Sequence, residues 1–337
     1  MKKPTARETL LTDIVPAEVI EVFSPAYTTP LGAAFVGDSL EVMRVLPPAS
    51  IDLVLTSPPY ALKRKKDYGN PSDDEYFGWF LPFATEIRRI LKDTGSFVLN
   101  IGGTWNSGVP TRSLYHFEIP KRLAGIFHLA QEFYWLSMSR LPAPAEWVTV
   151  RRIRMKDAVE MVYWFSKTPF PKADNRRVLR PYSESMLTLL ERGYKAKLRP
   201  SGHDISTKFQ KNNAGAIAPN FLVINNTESN SYYLRRCKEE GIKPHPARFP
   251  KMLPEFFIKF LTDKNDIVLD PFAGSNVTGE AAEALCRRWI AIEIDRTYVE
   301  ASRFRFEPQG RLEQLSIADE DPPRLGTGQE RRISGRH

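Results

Sequence analysis

The sequence predicts an α/β protein built on a mostly parallel, doubly wound sheet, and three observations carry that prediction. Short apolar runs of strand length alternate with longer stretches of helical spacing. Two of the apolar runs close in turns rich in Pro or Gly: Ser57-Pro58-Pro59-Tyr60, and Asp270-Pro271-Phe272-Ala273-Gly274-Ser275-Asn276. Both turns fall where a buried parallel strand ends, the edge at which open α/β sheets bind ligands.

The first thirty or so residues lack periodicity and read as an arm packed on the main body. Residues 33–36 form a short strand candidate ending at Gly37-Asp38, followed by a helix over 39–46 and a buried strand over 51–55 that runs into Ser57. Residues 76–91 carry helical spacing through Phe77, Phe80, Leu81 and Ile87, and Asp93-Thr94-Gly95 ends that helix. A strand over 96–101 stops at Gly102-Gly103, a helix covers 119–130, and strands cover 133–138 and 158–165. No helix-length apolar pattern separates the last two, so they predict an antiparallel edge hairpin. Between 172 and 243 the rhythm breaks into Asn, Ser, Gly and basic residues. It resumes with a helix at 256–261, a strand at 267–269, a helix at 279–285, a strand at 289–294 and a helix at 298–306. From Pro308 the chain is polar, charged and rich in Pro and Gly, the composition of a disordered tail. The predicted organisation is a catalytic domain formed by 1–171 and 244–307, an inserted region over 172–243, and a tail over 308–337.

Composition narrows the class. The 337 residues, 42% hydrophobic and 26% charged, suit a globular protein with a substantial core. No apolar stretch approaches the roughly 18 residues that cross a bilayer, and no signal-peptide core follows the N-terminus, so a cytoplasmic location away from membranes is expected. The only cysteines, Cys237 and Cys286, predict neither a disulfide framework nor a metal site. The formal net charge is +8, and residues 172–243 hold fourteen Lys and Arg against seven Asp and Glu. One concentrated basic block points to a nucleic-acid partner.

The two turns carry the chemistry. In Asp270–Gly279, a buried strand ends in an acid and a Gly-containing turn opens a helix of small residues, so Gly274 allows close backbone approach and the helix N-terminus offers free N–H groups. About twenty residues on, the next strand ends at Glu293, with Asp295 beyond it; an acid there can hold both hydroxyls of a ribose, which indicates a nucleoside-containing cofactor. The same pattern also suits a tight turn and a surface carboxylate. In Ser57-Pro58-Pro59-Tyr60, two prolines lock the backbone and remove two N–H donors. What remains is carbonyls and one hydroxyl that accept from an amine, beside an aromatic ring able to stack on a flipped base. A rigid turn with a packed ring is the plainer alternative.

With these residues in place, the chain resembles the permuted class of S-adenosylmethionine-dependent DNA amino-methyltransferases, in which the target-amine motif precedes the cofactor motif. The resemblance runs over most of residues 30–306: Gly37-Asp38-Ser39-Leu40, Ser57-Pro58-Pro59-Tyr60, Gly95-Ser96-Phe97-Val98, His245-Pro246-Ala247-Arg248-Phe249-Pro250 and Asp270–Ser275. It implies a circularly permuted Rossmann-like fold and a target-recognition region over 172–243. Within the class, the chain is most similar to the PvuII-type cytosine-N4 enzymes of restriction–modification systems, Ser at position 57 being that group's usual mark. The resemblance assigns Ser57 and the Pro58 carbonyl to the target amine, Pro59 to the same catalytic turn, and Tyr60 to the base face. It assigns Asp38 to the cofactor adenine, Glu293 to its ribose, and Asp270, Phe272, Gly274 and Ser275 to the rest of the pocket. At Asn276, where the wider family commonly has Gly, the side chain either contacts the methionine end or caps the helix.

The implied partner is double-stranded DNA, with a cognate restriction endonuclease as a genetic neighbour only and no metal. Lys63-Arg64-Lys65-Lys66, directly after the amine turn, are candidate phosphate contacts. His203, Asn226 and Asn230 lie in segments resembling cytosine-N4 relatives and are candidate DNA contacts, although His203 suits an ordinary loop hydrogen bond equally. Carbon-5 methylation is disfavoured because neither cysteine follows a proline. Adenine-N6 methylation is the main competing expectation, and a DNA-binding regulator without catalysis is the next.

Overall fold

The computed structural model describes residues 15–61, 75–193, 211–226 and 231–307. Lys63, Arg64, Lys65, Lys66, His203 and Asn230 lie outside the described residues, as does the tail from 308.

Nine strands form one mixed sheet in the order β1-β2-β9-β8-β3-β4-β6-β5-β7. They are β1 (Tyr27–Thr28), β2 (Gly32–Val36), β3 (Ile51–Thr56), β4 (Leu91–Ile101), β5 (His128–Leu136), β6 (Val159–Ser166), β7 (Phe221–Val223), β8 (Ile267–Asp270) and β9 (Arg288–Glu293). The pairs β2·β9, β9·β8, β8·β3, β3·β4 and β5·β7 are parallel, whereas β1 and β6 run antiparallel to their neighbours. The last two strands in the sequence therefore sit between β2 and β3, the arrangement a permuted order requires.

Side-chain alternation sends each strand's residues to two apolar layers. In β9, Ile290 and Ile292 enter one and Trp289 and Ala291 the other. The first layer is closed by α1 (Ala17–Val22), α2 (Ser39–Val45), α3 (Tyr76–Ile90) and α4 (Tyr115–Leu123), through residues such as Val19, Met43, Phe80 and Leu123. The second is closed by α7 (Met252–Leu261), α8 (Val277–Ala284) and α9 (Arg296–Ser302), through Phe257, Ala281 and Val299. Between these groups in the chain lie α5 (Glu184–Arg192) and α6 (Tyr232–Glu239). Burial on both faces explains why the central strands read as continuous apolar runs.

The structure corrects the sequence reading in three places. The helix expected over 119–130 spans Tyr115–Leu123, stops ahead of Gly125, and hands residues 128–130 to β5, which pairs with β6 from His128 onward. Asp93-Thr94-Gly95 does not end a helix: β4 begins at Leu91, and the register jumps from Ile51↔Leu91 to Leu53↔Ser96, so the turn residues bulge from the strand. The β5–β6 hairpin is antiparallel but does not form the sheet edge. Phe221–Val223, from the segment that reads weakly in the sequence, adds parallel to β5 through Tyr134↔Phe221 and Leu136↔Val223.

The two motif turns are tied together by Asp270, which is 2% exposed. Its Oδ1 accepts from Thr56 Oγ1 at 2.6 Å and from the Phe272 amide at 3.1 Å, and its Oδ2 accepts from Thr278 Oγ1 at 2.7 Å. One carboxylate thus joins the end of β3, the end of β8, the following turn and α8. Burial raises its pKa from 3.8 to about 6, against the lowering effect of its donors. Asn276, at φ 57°, caps α8 by accepting from the Gly279 amide at 3.0 Å, while its amide donates to Tyr27 Oη at 3.0 Å. The left-handed conformation accounts for Asn or Gly here, since other side chains are strained in it.

Two outcomes follow. The folded pKa of Asp270 lies above its unfolded value, so the folded state binds that proton more tightly and stability falls as pH rises from about 4 to 6. Chemical denaturation of wild type and Asp270→Asn should show wild type losing about 3 kcal/mol relative to the variant between pH 4 and 7; a pH-independent difference would contradict the burial. Asn276→Ala should cost about 2 kcal/mol and Asn276→Gly about 1 kcal/mol, because only Gly relieves the strained φ.

Candidate active site

The C-terminal ends of β2, β3, β4, β8 and β9 open into a single cleft of about 830 Å³. Because β5 and β7 run in the same sense, the segments after them reach this edge too, as does the start of β6. Ser57, Pro58, Pro59, Tyr60, Asp38, Phe272, Gly274, Ser275, Glu293 and Asn226 all line the cleft. Residues more than two hundred positions apart therefore face one space.

On the amine side, Tyr60 is fixed at both its ring and its hydroxyl. A Cβ at Gly102 would lie 2.5 Å from Tyr60 Cε2, so glycine there is what admits the ring. The hydroxyl accepts from Ser57 Oγ at 3.3 Å and shares its proton with Asn100 Oδ1 and Glu160 Oε2, both at 3.1 Å. Burial, reinforced by the charge of Glu160, drives the phenol well above its ordinary pKa, so it remains a donor. Asn100 donates to Glu160 Oε2 at 3.2 Å and to the Met161 carbonyl at 3.2 Å, and Arg140 pairs with Glu160 Oε1.

On the other side, Glu293 braces the glycine turn. Its Oε2 accepts from the Gly274 amide at 2.9 Å and its Oε1 from the Asp295 amide at 3.0 Å. Burial raises its pKa, and these backbone donors oppose the rise. Gly274 sits at φ 53°, and a Cβ there would come within 3.0 Å of the His245 ring, which itself packs edge-on to Tyr298 at 4.7 Å. Asp38 caps α2 by accepting from the Leu40 amide at 2.8 Å while standing exposed at the cleft. Ser275 is held from behind by Arg305, whose guanidinium donates to the Ser275 carbonyl at 2.7 Å and to its Oγ at 3.1 Å. Phe272 completes an aromatic wall with Phe83 at 5.1 Å and Trp79 at 5.8 Å.

Two expected cofactor contacts are placed elsewhere. Asp270 and Asn276 do not line the cleft; both are buried behind its wall, with their side-chain oxygens committed to the turn and to the helix cap. Asn226 reaches the rim and donates to the Arg248 carbonyl at 2.8 Å. The sequence reading missed Trp79, Phe83, Trp135, Arg140 and Glu160 as site residues. Trp79 and Phe83 carry a legible signal, an i, i+4 aromatic pair on one helix. Arg140 and Glu160 carry none, because only the hairpin pairing brings them together. Among the described residues no group of three or more His, Cys, Asp and Glu side chains is arranged to hold a metal ion, and no helix is long and apolar enough to cross a membrane.

Comparison with known proteins agrees with this geometry. Residues 51–304 match the N6_N4_Mtase family model, described as DNA methylase. The chain is 53% identical over 287 residues to the type II methyltransferase M.PvuII of Proteus hauseri, covering 84% of this chain and 85% of that protein. The solved PvuII DNA methyltransferase, described as cytosine-N4-specific, superposes with a TM-score of 0.71 at 46% identity, over 87% of this chain and 93% of that one. A Thermus thermophilus protein solved in complex with S-adenosyl-L-methionine shares the fold at a TM-score of 0.52 and 20% identity, over 81% of this chain and 92% of that one. The motifs, the cleft they share and these matches together establish that the chain belongs to the DNA methylase family.

Proposed function

We propose that this protein transfers a methyl group from S-adenosylmethionine to the exocyclic N4 amine of a cytosine flipped out of double-stranded DNA, at a specific site. The observation that carries the reading is the common cleft: the Ser57-Pro58-Pro59-Tyr60 turn and the Phe272–Ser275 turn with Glu293 line one space. Its 53% identity to M.PvuII and its likeness to a cytosine-N4-specific structure support the choice of base.

The residues present suit the cofactor. Gly274 presents its backbone to the cleft with the His245 ring packed on its Cα, Glu293 offers a carboxylate already oriented by two backbone amides, Asp38 offers a second one, and Phe272 offers an aromatic face. Bound there, S-adenosylmethionine supplies an electrophilic sulfonium methyl, so no covalent enzyme intermediate is required. The work of the chain is alignment and polarisation. The Ser57 hydroxyl and the Pro58 carbonyl accept from the target amine, drawing its lone pair out of conjugation with the ring and toward the methyl. The two prolines keep competing N–H donors away from that amine. Tyr60, pinned at its hydroxyl, offers its ring to the base without needing to be ordered at the moment of binding.

In this reading 1–171 and 244–307 form the catalytic domain, 172–243 reads the target sequence with Asn226 at the junction, and Lys63, Arg64, Lys65 and Lys66 grip phosphates, with His203 and Asn230 as further contacts. The biological role is protection of host DNA in a restriction–modification system, in the cytoplasm, with the endonuclease as a genetic neighbour.

Mass spectrometry of nucleosides from DNA modified by the protein should find N4-methylcytosine; N6-methyladenine in its place would overturn the base assignment. Ser57→Ala should reduce turnover about 100-fold while leaving S-adenosylmethionine affinity within about twofold, and equal loss of both would contradict its role. Glu293→Ala should weaken calorimetrically measured cofactor binding about tenfold or more; unchanged affinity would remove Glu293 from the ribose site.

A further inference from the structure

Arg140 enters the cleft from the segment after β5 and is held on two sides. Its guanidinium pairs with Glu160 and lies 5.5 Å over the Trp135 ring. Glu160 is in turn committed, its other oxygen accepting from Tyr60 and Asn100 at 3.1 and 3.2 Å. A guanidinium carries five N–H donors in a rigid fork. Only one of its nitrogens, paired with Glu160, has a hydrogen-bond partner among the described residues. Three other residues lining the cleft donate elsewhere. Asn100 donates to Glu160 and the Met161 carbonyl, Trp135 to the Ile224 carbonyl at 2.8 Å, and Asn226 to the Arg248 carbonyl at 2.8 Å. Arg140 therefore brings surplus donors to the cleft; Arg248, which also lines it, donates to the His245 carbonyl and holds its Nε buried without a partner among the described residues.

The Watson–Crick edge of cytosine presents a donor amine at N4 and then two acceptors, N3 and O2. The Ser57 hydroxyl and the Pro58 carbonyl complement the amine, and a planar fork complements the acceptor pair. Three hydrogen-bonded links in series, from Ser57 to Tyr60, to Glu160 and to Arg140, connect the two halves, and both line the one cleft. We propose that Arg140 reads N3 and O2 of the flipped cytosine, and that Glu160 and Trp135 hold its guanidinium in place for that contact. Adenine meets the same fork with N1 and a C–H, so half of the fork goes unanswered. This inference rests on the amine-methylation reading above and gives it a determinant of base choice separate from Ser57.

The test uses the full-length protein and duplexes carrying either cytosine or 3-deazacytosine at the target position, the latter having C–H where cytosine has N3. Arg140→Met keeps the reach of the side chain over Trp135 and removes the donors. It should lose about 10- to 100-fold in kcat/KM on cytosine, the loss expected for charge-assisted hydrogen bonds. The wild type should discriminate between the two bases by about tenfold or more, and the variant by less than about twofold, with cofactor affinity unchanged in both. A purely structural role would leave the discrimination ratio alone, so an undiminished ratio in the variant overturns the proposal. Arg140→Lys keeps the charge and loses the fork, and it provides the second arm if Arg140→Met does not fold: it should show reduced discrimination, and wild-type discrimination would overturn the proposal equally. Wild-type protein that leaves no methylated cytosine would overturn the functional reading itself, a result distinct from either.

Discussion

The buried carboxylate of Asp270 is the constraint on which the rest of the site depends. Ionised burial is costly, and the cost is offset only because three donors converge on it from Thr56, Phe272 and Thr278. Thr56 immediately precedes Ser57, and Phe272 lies inside the glycine turn. The same hydrogen bonds that keep the carboxylate tolerable thus fix the separation of the two turns. The Thr56 contact joins residues 214 apart in sequence, so the permuted chain order has no mechanical consequence at the cleft. Glu293 repeats the device one strand over, holding the Gly274 amide with one oxygen and the Asp295 amide with the other. Two acids at successive strand ends therefore set the backbone of the turn between them.

Much of this was legible in the sequence, and the exceptions have physical reasons. Strand ends and turns are local events, so Ser57-Pro58-Pro59-Tyr60 and the Asp270 turn could be placed at the sheet edge from residue type alone. Side-chain direction is not local. Asp270 sits on the same side of β8 as Val268, facing α8, and no count of residues reveals that Thr56 and Thr278 will be its partners. At Asn276 the sequence suits both alternatives, and the hydrogen bonds to the Gly279 amide and to Tyr27 Oη commit the side chain to the cap. Arg140 and Glu160 are polar residues at a long hairpin connection, and their meeting depends on the β5–β6 register that sets Trp135 opposite Glu160. Residues 91–95 deceived because their Asp-Thr-Gly composition suits a helix stop and a bulge equally well.

The cleft divides into two chemical environments that match two different tasks. The wall of Trp79, Phe83 and Phe272 is aromatic, whereas the floor beneath Tyr60 is a connected set of hydrogen bonds through Ser57, Asn100, Glu160 and Arg140. A connected network resists rearrangement, because moving one member strands the others without partners. That rigidity suits a site whose catalytic contribution is alignment, where small displacements of an amine from the line of attack are expensive.

The three-residue strand Phe221–Val223 has an implication for how such a protein can change its target. Its backbone is laced to Tyr134, Trp135 and Leu136, and Trp135 returns a hydrogen bond to the Ile224 carbonyl. The basic segment is therefore anchored to the same sheet that carries the cleft, within a few residues of Asn226. New side chains can be tried on either side of this clasp at little structural cost. An insertion that slips it by one residue would turn Leu222 out of the core and shift the rim beside the bound base. On the proposed reading of 172–243 as the target-recognition region, diversification of specificity is channelled into the residues flanking the clasp, with Phe221–Val223 as the fixed point about which they vary.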